Sequence, residues 1–256
     1  MARALSKLGY CSRSQAAELI RDGRVRVNGG IRRDPETPVH LGKARLLVDE
    51  KPLDSREKIY LMMNKPRGVV TTACDEKGRG TVYSALEKHG KTLPWVAPVG
   101  RLDKASEGLL LLTNDSEWGA SIAAPETHLE KTYHVQIDKL ADENLTRSLV
   151  KGVTAEDGET LRASRVHVLR SGEKNCWLEI TLGEGKNRQI RRMLATLEVE
   201  VLRLVRVAIG PLQLGKLAKG AYRGLAVEEK LAIDLAMSES GTRIRKPETR
   251  NRKSKI

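Results

Sequence analysis

The sequence predicts an α+β protein in which a small α/β domain precedes a larger domain built on a mostly antiparallel sheet. After residue 58, strand-like stretches outnumber helical ones, and they do not alternate regularly with helices as in a parallel sheet. With 256 residues, the chain is long enough for one or two domains with real cores. We expect the small domain over 1–50, a linker over 51–58, the large domain over 59–236, and a basic, disordered tail over 237–256.

The charge balance predicts an anionic partner. The chain carries 46 Lys and Arg residues against 33 Asp and Glu residues, a formal net charge of +13. The excess is concentrated at the two ends, in residues 1–56 and 241–256. Nucleic acid is the simplest partner for such a chain. Phe is absent and aromatic residues make up only 3%, which argues against a broad platform for stacking bases.

Cysteine usage and hydropathy argue against a disulfide-rich, zinc-binding, secreted or membrane protein. The three cysteines are isolated and odd in number, so neither a disulfide framework nor a zinc site is predicted. The five histidines show no metal-ligand spacing, and we expect no metal and no cofactor. No apolar signal segment and no run of membrane length is present. We therefore expect a cytoplasmic protein that does not enter membranes and is by default a monomer.

The N-terminal stretch "CSRSQAAELIRDGRVRVNGG" contains a helix with defined ends, followed by a strand and a tight turn. Ser12 and Gln15 form a predicted capping box at the start of the helix, and Gly23 ends it. The alternating residues 24–27 then predict a strand, and Asn28-Gly29 predicts a tight turn. Four arginines decorate this unit, either as a solvated basic face or as contacts to RNA phosphates. They are Arg3, Arg13, Arg21 and Arg24.

This stretch resembles the S4 RNA-binding domain over about residues 2–50. The resemblance is carried by Ser12, Arg13, Ala16, Ile20, Gly23, Val25, Val27, Asn28 and Gly29. It implies that the helix pair and the adjoining loop contact structured RNA.

Three motifs of the large domain contain candidate catalytic residues. "VGRLDKASEGLLLLTND" places Asp103 just before an apolar strand that can only be buried. "KTYHVQI" alternates, so that Tyr133 shares one face with Val135 and Ile137. "EGKNRQIRRM" presents Lys186 just before a helix with a basic face. That face carries Arg188, Arg191 and Arg192.

Together with "LRLVRVAIGPLQLG", these motifs resemble the RsuA type of RNA pseudouridine synthase over about residues 2–235. The resemblance implies an S4 domain joined to a catalytic sheet domain. It also implies isomerisation of uridine: the bond from ribose C1′ to base N1 breaks, the base turns, and C1′ is rejoined to C5. No group is transferred, so no cofactor is needed. The third motif often has histidine in this family where this chain has Arg188.

By the same resemblance, Asp103 is the catalytic residue, which either attacks C1′ or removes the ribose 2′ hydrogen. We expect its carboxylate to be desolvated at the strand edge and kept ionised by a cation, for which Lys186 is the candidate. Tyr133 is expected to stack on the flipped uracil and to help move the C5 proton, and Leu204 to pack against the target base. Arg101 is expected to bind RNA or to support the loop. Four further arginines are expected to contact phosphates, with a solvated helix face as the alternative; they are Arg188, Arg191, Arg192 and Arg206.

These observations predict an enzyme that modifies ribosomal RNA, and two of them favour the large subunit. Those two are the loop "DEKGRGTV" and the motif "NRQIRRM". The alternative is a non-catalytic RNA-binding factor of ribosome assembly, which the S4-like module and the net charge support equally well. Asp103, Tyr133 and Lys186 favour the enzyme, because a binding protein has no use for a buried carboxylate that repels RNA.

Overall fold

The computed structural model describes residues 1–53, 57–72, 78–87 and 93–243. The helices are α1 Ala2–Lys7, α2 Arg13–Arg21, α3 Val82–Glu87, α4 Ser116–Ala123, α5 Glu143–Lys151, α6 Gln189–Thr196 and α7 Val227–Arg243, with a 3₁₀ turn at Pro125–Thr127. The strands are β1 Val25–Val27, β2 Gly30–Ile31, β3 Leu46–Val48, β4 Lys51–Pro52, β5 Tyr60–Lys65, β6 Ala97–Val99, β7 Glu107–Thr113, β8 Lys131–Ile137, β9 Val153–Thr154, β10 Thr160–Leu161, β11 Arg165–Ser171, β12 Cys176–Leu182, β13 Val201–Ile209, β14 Leu212–Gln213 and β15 Tyr222–Gly224.

The N-terminal unit packs α1 and α2 against a four-stranded sheet in the order β2-β1-β3-β4. The predicted capping box is confirmed: Ser12 Oγ accepts from the backbone N–H of Gln15, and the Gln15 side chain accepts from that of Ser12. Buried Leu5, Ile20 and Val25 form its core. Because Lys51 and Pro52 pair with β3 as strand β4, the expected linker begins later than residue 51. Residues 54–56 of that linker lie outside the described residues.

The large domain is built on a nine-stranded sheet whose main path runs β11-β12-β8-β13-β7-β5-β15. Two further strands lie off this path: β14 pairs with β13, and β6 pairs with β7. Among the described strand pairs of this sheet, only β7 and β13 are parallel. The predicted mostly antiparallel α+β fold is therefore confirmed, and the single parallel pair lies at the middle of the sheet.

Helices cover the sheet unevenly, and on one face they form two groups; we call the boundary between these two groups the cleft. On that face, α5 and α6 pack over β8, β12 and β13, while α3 packs over β5 and β7. Helices α4 and α7 cover the opposite face of β5 and β7. Leu109–Leu112 are fully buried because β7 has a hydrophobic cluster on each side. Tyr133 packs against both clusters of the first face, and so lies where the two covered halves meet.

The two domains contact each other through α1 and the end of β7. Lys7 Nζ lies 2.6 Å from Glu117 Oε1, and Gly9 approaches the side chain of Asn114. Asn114 also fixes the entry into the large domain, since its side chain bonds the backbone of Glu57 and Ile59 at 2.8 Å each.

The C-terminal boundary differs from the sequence-based one, because α7 continues past residue 236 to Arg243. The expectation of a disordered basic tail then concerns residues 244–256, which lie outside the described residues. In the described ranges, no helix has both the length and the apolar character needed to cross a membrane.

Candidate active site

A single row of residues crosses the sheet where the parallel pair begins. Lys65 of β5 lies opposite Gly108 of β7, Gly108 opposite Arg206 of β13, and Arg206 opposite Tyr133 of β8. The loop that carries Asp103 enters the sheet at this row, since β7 starts at Glu107. The candidate site is therefore built at the junction of the two halves of the sheet.

Asp103 sits in this loop with its side chain 34% exposed, so it is half-buried and not fully desolvated as expected from the sequence. Its Oδ2 lies 3.4 Å from Nη1 of Arg188, whose side chain is 50% exposed. The backbone of Arg188 has φ +46°, in the left-handed region that is uncommon for residues other than glycine. This conformation immediately precedes α6 and places the guanidinium beside Asp103.

Lys186 does not take the place expected for it. Its Nζ lies 3.2 Å from Glu159 Oε1 and 3.4 Å from Glu184 Oε1, and these two partners raise its pKa, the Glu159 hydrogen bond most of all. Lys186 thus has its own carboxylates, and Arg188 is the cation that pairs with Asp103.

Lys65 holds the Asp103 loop from below, and the sequence reading missed it. Its fully buried ammonium donates to the carbonyl oxygens of Pro66 at 3.2 Å, Asp103 at 3.1 Å and Ser106 at 2.8 Å. Burial lowers the pKa of Lys65 to about 8. The available signal was a lysine at the end of the apolar stretch "IYLMMNK".

Arg191 also lies close enough to the Asp103 carboxylate to be affected by its charge. Arg191 is half-buried, and it donates weakly to the carbonyl oxygens of Ala105 and Val201, both at 3.4 Å. Burial lowers the pKa of Arg191, as do the charges of Arg188 and Arg67, whereas Asp103 acts in the opposite direction. Asp103 is therefore one carboxylate among several guanidinium groups, an arrangement suited to receiving a polyanion.

The remaining predicted residues of the large domain fall into different environments. Leu204 is buried in the core beside β8 and faces Val135 across the strand pair. Arg101 is exposed. Arg192 is bound by Asp157 at 2.6 Å and by Glu159 at 2.7 Å, so its charge is already compensated. Arg206 is only 6% exposed, which corrects the expectation of a surface contact to phosphate.

Three of the four arginines of the N-terminal unit lie together. Arg3, Arg13 and Arg21 are exposed and line one concave surface beside α1 and α2. Arg24 differs, because its guanidinium forms two hydrogen bonds with the carboxylate of Asp49, at 2.7 and 2.6 Å. The concave surface is the part of this unit best suited to bind phosphates.

No group of three or more His, Cys, Asp or Glu side chains in the described ranges could hold a metal ion.

Comparison with known proteins identifies both domains. A family model described as RNA pseudouridylate synthase matches residues 59–196, and the S4 domain model matches residues 2–44. An uncharacterized RNA pseudouridine synthase of Aquifex aeolicus (strain VF5) is 37% identical over 223 residues, covering 86% of this chain and 88% of the relative. Ribosomal large subunit pseudouridine synthase B of Bacillus subtilis (strain 168) is 34% identical over 229 residues, covering 89% and 92%.

A solved structure extends the comparison to three dimensions. A crystal structure of a pseudouridylate synthase aligns with a TM-score of 0.62 at 29% sequence identity, covering 91% of this chain and 98% of that one. The matches span both domains in the order predicted from the motifs, which confirms the resemblance. The chain therefore belongs to the RNA pseudouridine synthase family, whose members are isomerases, and it carries an N-terminal S4 domain.

Proposed function

We propose that this protein converts a specific uridine of large-subunit ribosomal RNA to pseudouridine, with Asp103 as the catalytic residue. The observation that carries the proposal is the half-exposed Asp103 carboxylate, paired with Arg188 at the cleft where Tyr133 lies. The large subunit is favoured by similarity to the Bacillus subtilis enzyme, which is named for that substrate and is covered over 92% of its length. Family membership favours an enzyme over a non-catalytic assembly factor.

The reaction balances without any outside reactant. The C1′–N1 bond breaks and its electron pair passes to the uracil ring, the ring turns, and C5 bonds to C1′. The C5 proton then leaves, and N1 gains a proton. Asp103 acts either by bonding to C1′, in a bond that breaks again when C5 attacks, or by removing the 2′ hydrogen, which returns to C2′ afterwards. Both roles need an ionised carboxylate. Arg188 offsets the repulsion between that carboxylate and the RNA phosphates.

The target uridine must leave the helical stack to reach Asp103. Flipping a nucleotide costs a few kcal/mol, which contacts elsewhere must offset. Arg67 and Arg188 are exposed; Arg188 pairs with Asp103, and the charge of Arg67 acts on the neighbouring Arg191. Arg3, Arg13 and Arg21 lie on the N-terminal unit. Tyr133 then offers a ring against which the flipped base can stack.

Chemical mapping of pseudouridine tests this proposal. Protein-free large-subunit rRNA is incubated with the full chain, and its pseudouridines are mapped before and after. We expect a new pseudouridine that depends on the protein. If wild-type protein forms none in this RNA, the proposed substrate is wrong.

The concave arginine surface leads to a prediction about RNA binding. Replacing Arg3, Arg13 and Arg21 together by Gln should weaken binding to the mapped rRNA and reduce the salt dependence of log K by about two units, since fewer counterions are released. Titration of binding at several salt concentrations measures this slope. Arg24→Gln is the matched control, because Arg24 is held by Asp49, and it should change the slope by less than half as much. An unchanged slope in the triple variant would show that this surface does not bind RNA.

The choice of cation beside Asp103 leads to a second prediction. Arg188→Gln should lower the single-turnover rate of pseudouridine formation by roughly 10- to 100-fold, because the carboxylate loses its partner among the RNA phosphates. Lys186→Gln should lower it by less than about 3-fold, since the lysine pairs with Glu159 and Glu184 as an exposed ion pair of small worth. The reverse order of effects would place Lys186, and not Arg188, in the reaction.

A further inference from the structure

Lys131 and Arg206 flank Tyr133 in the sheet, and the proposed reaction does not use either of them. Arg206 lies directly opposite Tyr133 across the β8–β13 pair. Lys131 lies two residues before Tyr133 on the same strand, and alternation puts both side chains on one face, about 7 Å apart along the strand. Lys131 has two cross-strand partners: Leu182, which belongs to the core of that same face, and Ile209, which belongs to the cluster beneath α4 and α7.

Within the part of the chain that the structure describes, neither cation forms an ion pair with a carboxylate. Arg206 Nε donates to the carbonyl oxygen of Leu109 at 2.7 Å, but its Nη2 is buried without a hydrogen-bond partner. Among the described residues, Lys131 Nζ has no hydrogen bond or ion pair. Burial lowers the pKa of Lys131 to about 8, and the nearby charge of Arg206 lowers it further. The ammonium still remains mainly protonated near neutral pH.

Two like charges without a counter-ion, one buried at Arg206 and one half-buried at Lys131, cost stability, and apolar side chains of similar size would be more stable there. Such a cost is characteristic of functional sites. The missing partner is therefore expected to be an anion that arrives with the substrate.

The RNA offers two kinds of negative charge, and the geometry favours one of them. Phosphates lie on the outside of the nucleic acid, and the exposed guanidinium groups of Arg67 and Arg188 are better placed to meet them. In the proposed function the base stacks on Tyr133, and it therefore lies beside Lys131 and Arg206. A uracil ring is neutral in RNA, but it gains an electron pair when the C1′–N1 bond breaks.

We propose that Lys131 and Arg206 stabilise the negative charge that the uracil ring carries after its bond to C1′ has broken. This inference rests on the proposed isomerisation at Asp103, and it is independent of whether Asp103 attacks C1′ or removes the 2′ hydrogen. Charge is spread over N1 and the two carbonyl oxygens of the detached ring, and the ring loses this charge when C5 bonds to C1′. The later loss of the C5 proton is balanced by protonation of N1. Donors that meet a charge present only in the transition state and intermediate accelerate the reaction, because the neutral ground state gains less from them.

Single-turnover kinetics of Lys131→Met test the proposal, with an RNA fragment that contains the mapped uridine. We expect the rate of the chemical step to fall about 100-fold, while the Kd for RNA changes by less than about 2-fold. The melting temperature should stay the same or rise, since a buried charge is removed. Lys131→Arg should recover part of the rate. Lys139→Met is the matched control, because Lys139 is exposed just beyond the end of β8, and it should have wild-type kinetics.

A more acidic leaving base distinguishes two roles of Lys131: stabilising the charge of the uracil ring, and only packing against its neighbours. Fluorine at C5 withdraws electrons and stabilises the ring anion, so RNA with 5-fluorouridine at the target depends less on the two cations. The defect of Lys131→Met in breaking the C1′–N1 bond should then shrink at least about 10-fold relative to uridine. If Lys131→Met does not fold, Lys131→Gln, which keeps a hydrogen-bond donor but no charge, takes its place in the same comparison.

Three results for the Lys131→Met variant would overturn the inference. A wild-type rate in folded Lys131→Met, or an equal defect with uridine and 5-fluorouridine, overturns the inference. Weaker RNA binding with an unchanged chemical rate also overturns it, and assigns the pair to a phosphate. Wild-type protein that is inactive on large-subunit rRNA contradicts the proposed substrate instead, and the variants are then compared on the uridine that mapping of total RNA identifies.

Discussion

Asp103→Asn is expected to abolish pseudouridine formation while the protein stays folded and still binds its RNA. The asparagine is isosteric and keeps the loop bonds, because Lys65 and Ser106 contact the backbone of residue 103 and not its carboxylate. It has no negative charge, so it can neither attack C1′ nor accept a proton. The single-turnover rate should fall at least about 1,000-fold, as for loss of an essential nucleophile or base. RNA affinity should be unchanged or higher, since a carboxylate that repels phosphates has been removed.

Asp138→Asn provides the control for this experiment. Asp138 is exposed at the other end of β8, and its Oδ1 accepts a backbone hydrogen bond from Glu200 at 2.9 Å, which asparagine can also accept. The same charge is thus removed without touching the cleft, and the rate should stay within about 2-fold of wild type. Substantial product from Asp103→Asn would show that another residue carries the chemistry.

Gly108→Ala is expected to destabilise the large domain severely. Gly108 has φ +101°, and a Cβ on it would lie 2.2 Å from the backbone oxygen of Arg206 on the neighbouring strand. Neither backbone can move without separating β7 from β13, the central parallel pair. We expect the free energy of unfolding to fall by roughly 3 kcal/mol or more, as measured by urea denaturation.

The control for this prediction is Gly224→Ala. Gly224 lies in the strand β15, and a Cβ there would have no neighbour within 4 Å. Its unfolding free energy should stay within about 1 kcal/mol of wild type. A Gly108→Ala protein as stable as wild type would mean that the close approach of β7 and β13 is not essential to the fold.

Much of the fold could be predicted because its local signals agree with its tertiary structure. The Ser12 capping box depends on residues three positions apart, and the burial of Leu109–Leu112 follows from an apolar run. Strand β4 could not be predicted, since Lys51 and Pro52 are polar or strand-breaking residues that pair only because β3 lies beside them. The parallel pairing of β7 with β13 joins segments far apart in the chain, and no local pattern encodes it.

The site was predictable to the level of motifs but not of individual contacts. The sequence indicated Asp103 and Tyr133, and the structure places both at the junction of the two halves of the sheet. The sequence did not indicate that Arg188, and not Lys186, is the partner of Asp103. That choice depends on the left-handed backbone of Arg188 and on Glu159, a distant residue that binds Lys186.

The cations beneath the site were also missed, for a related reason. Lys65 and Lys131 lie at the ends of strands, where a lysine side chain usually extends into water. Their positions in the sequence therefore do not indicate that they are buried or half-buried. Their burial appears only when the sheet is assembled, because Lys65 then meets three carbonyl oxygens of the Asp103 region and Lys131 meets Arg206.

The structure of Asp103→Asn bound to its mapped RNA stem is the most direct test of the site. We expect the target uridine to be turned out of the helix, with its ring against Tyr133 and C1′ within about 3.5 Å of the side chain of residue 103. A target uridine that stays stacked in the RNA helix, or that lies away from this cleft, would contradict the assignment of the active site.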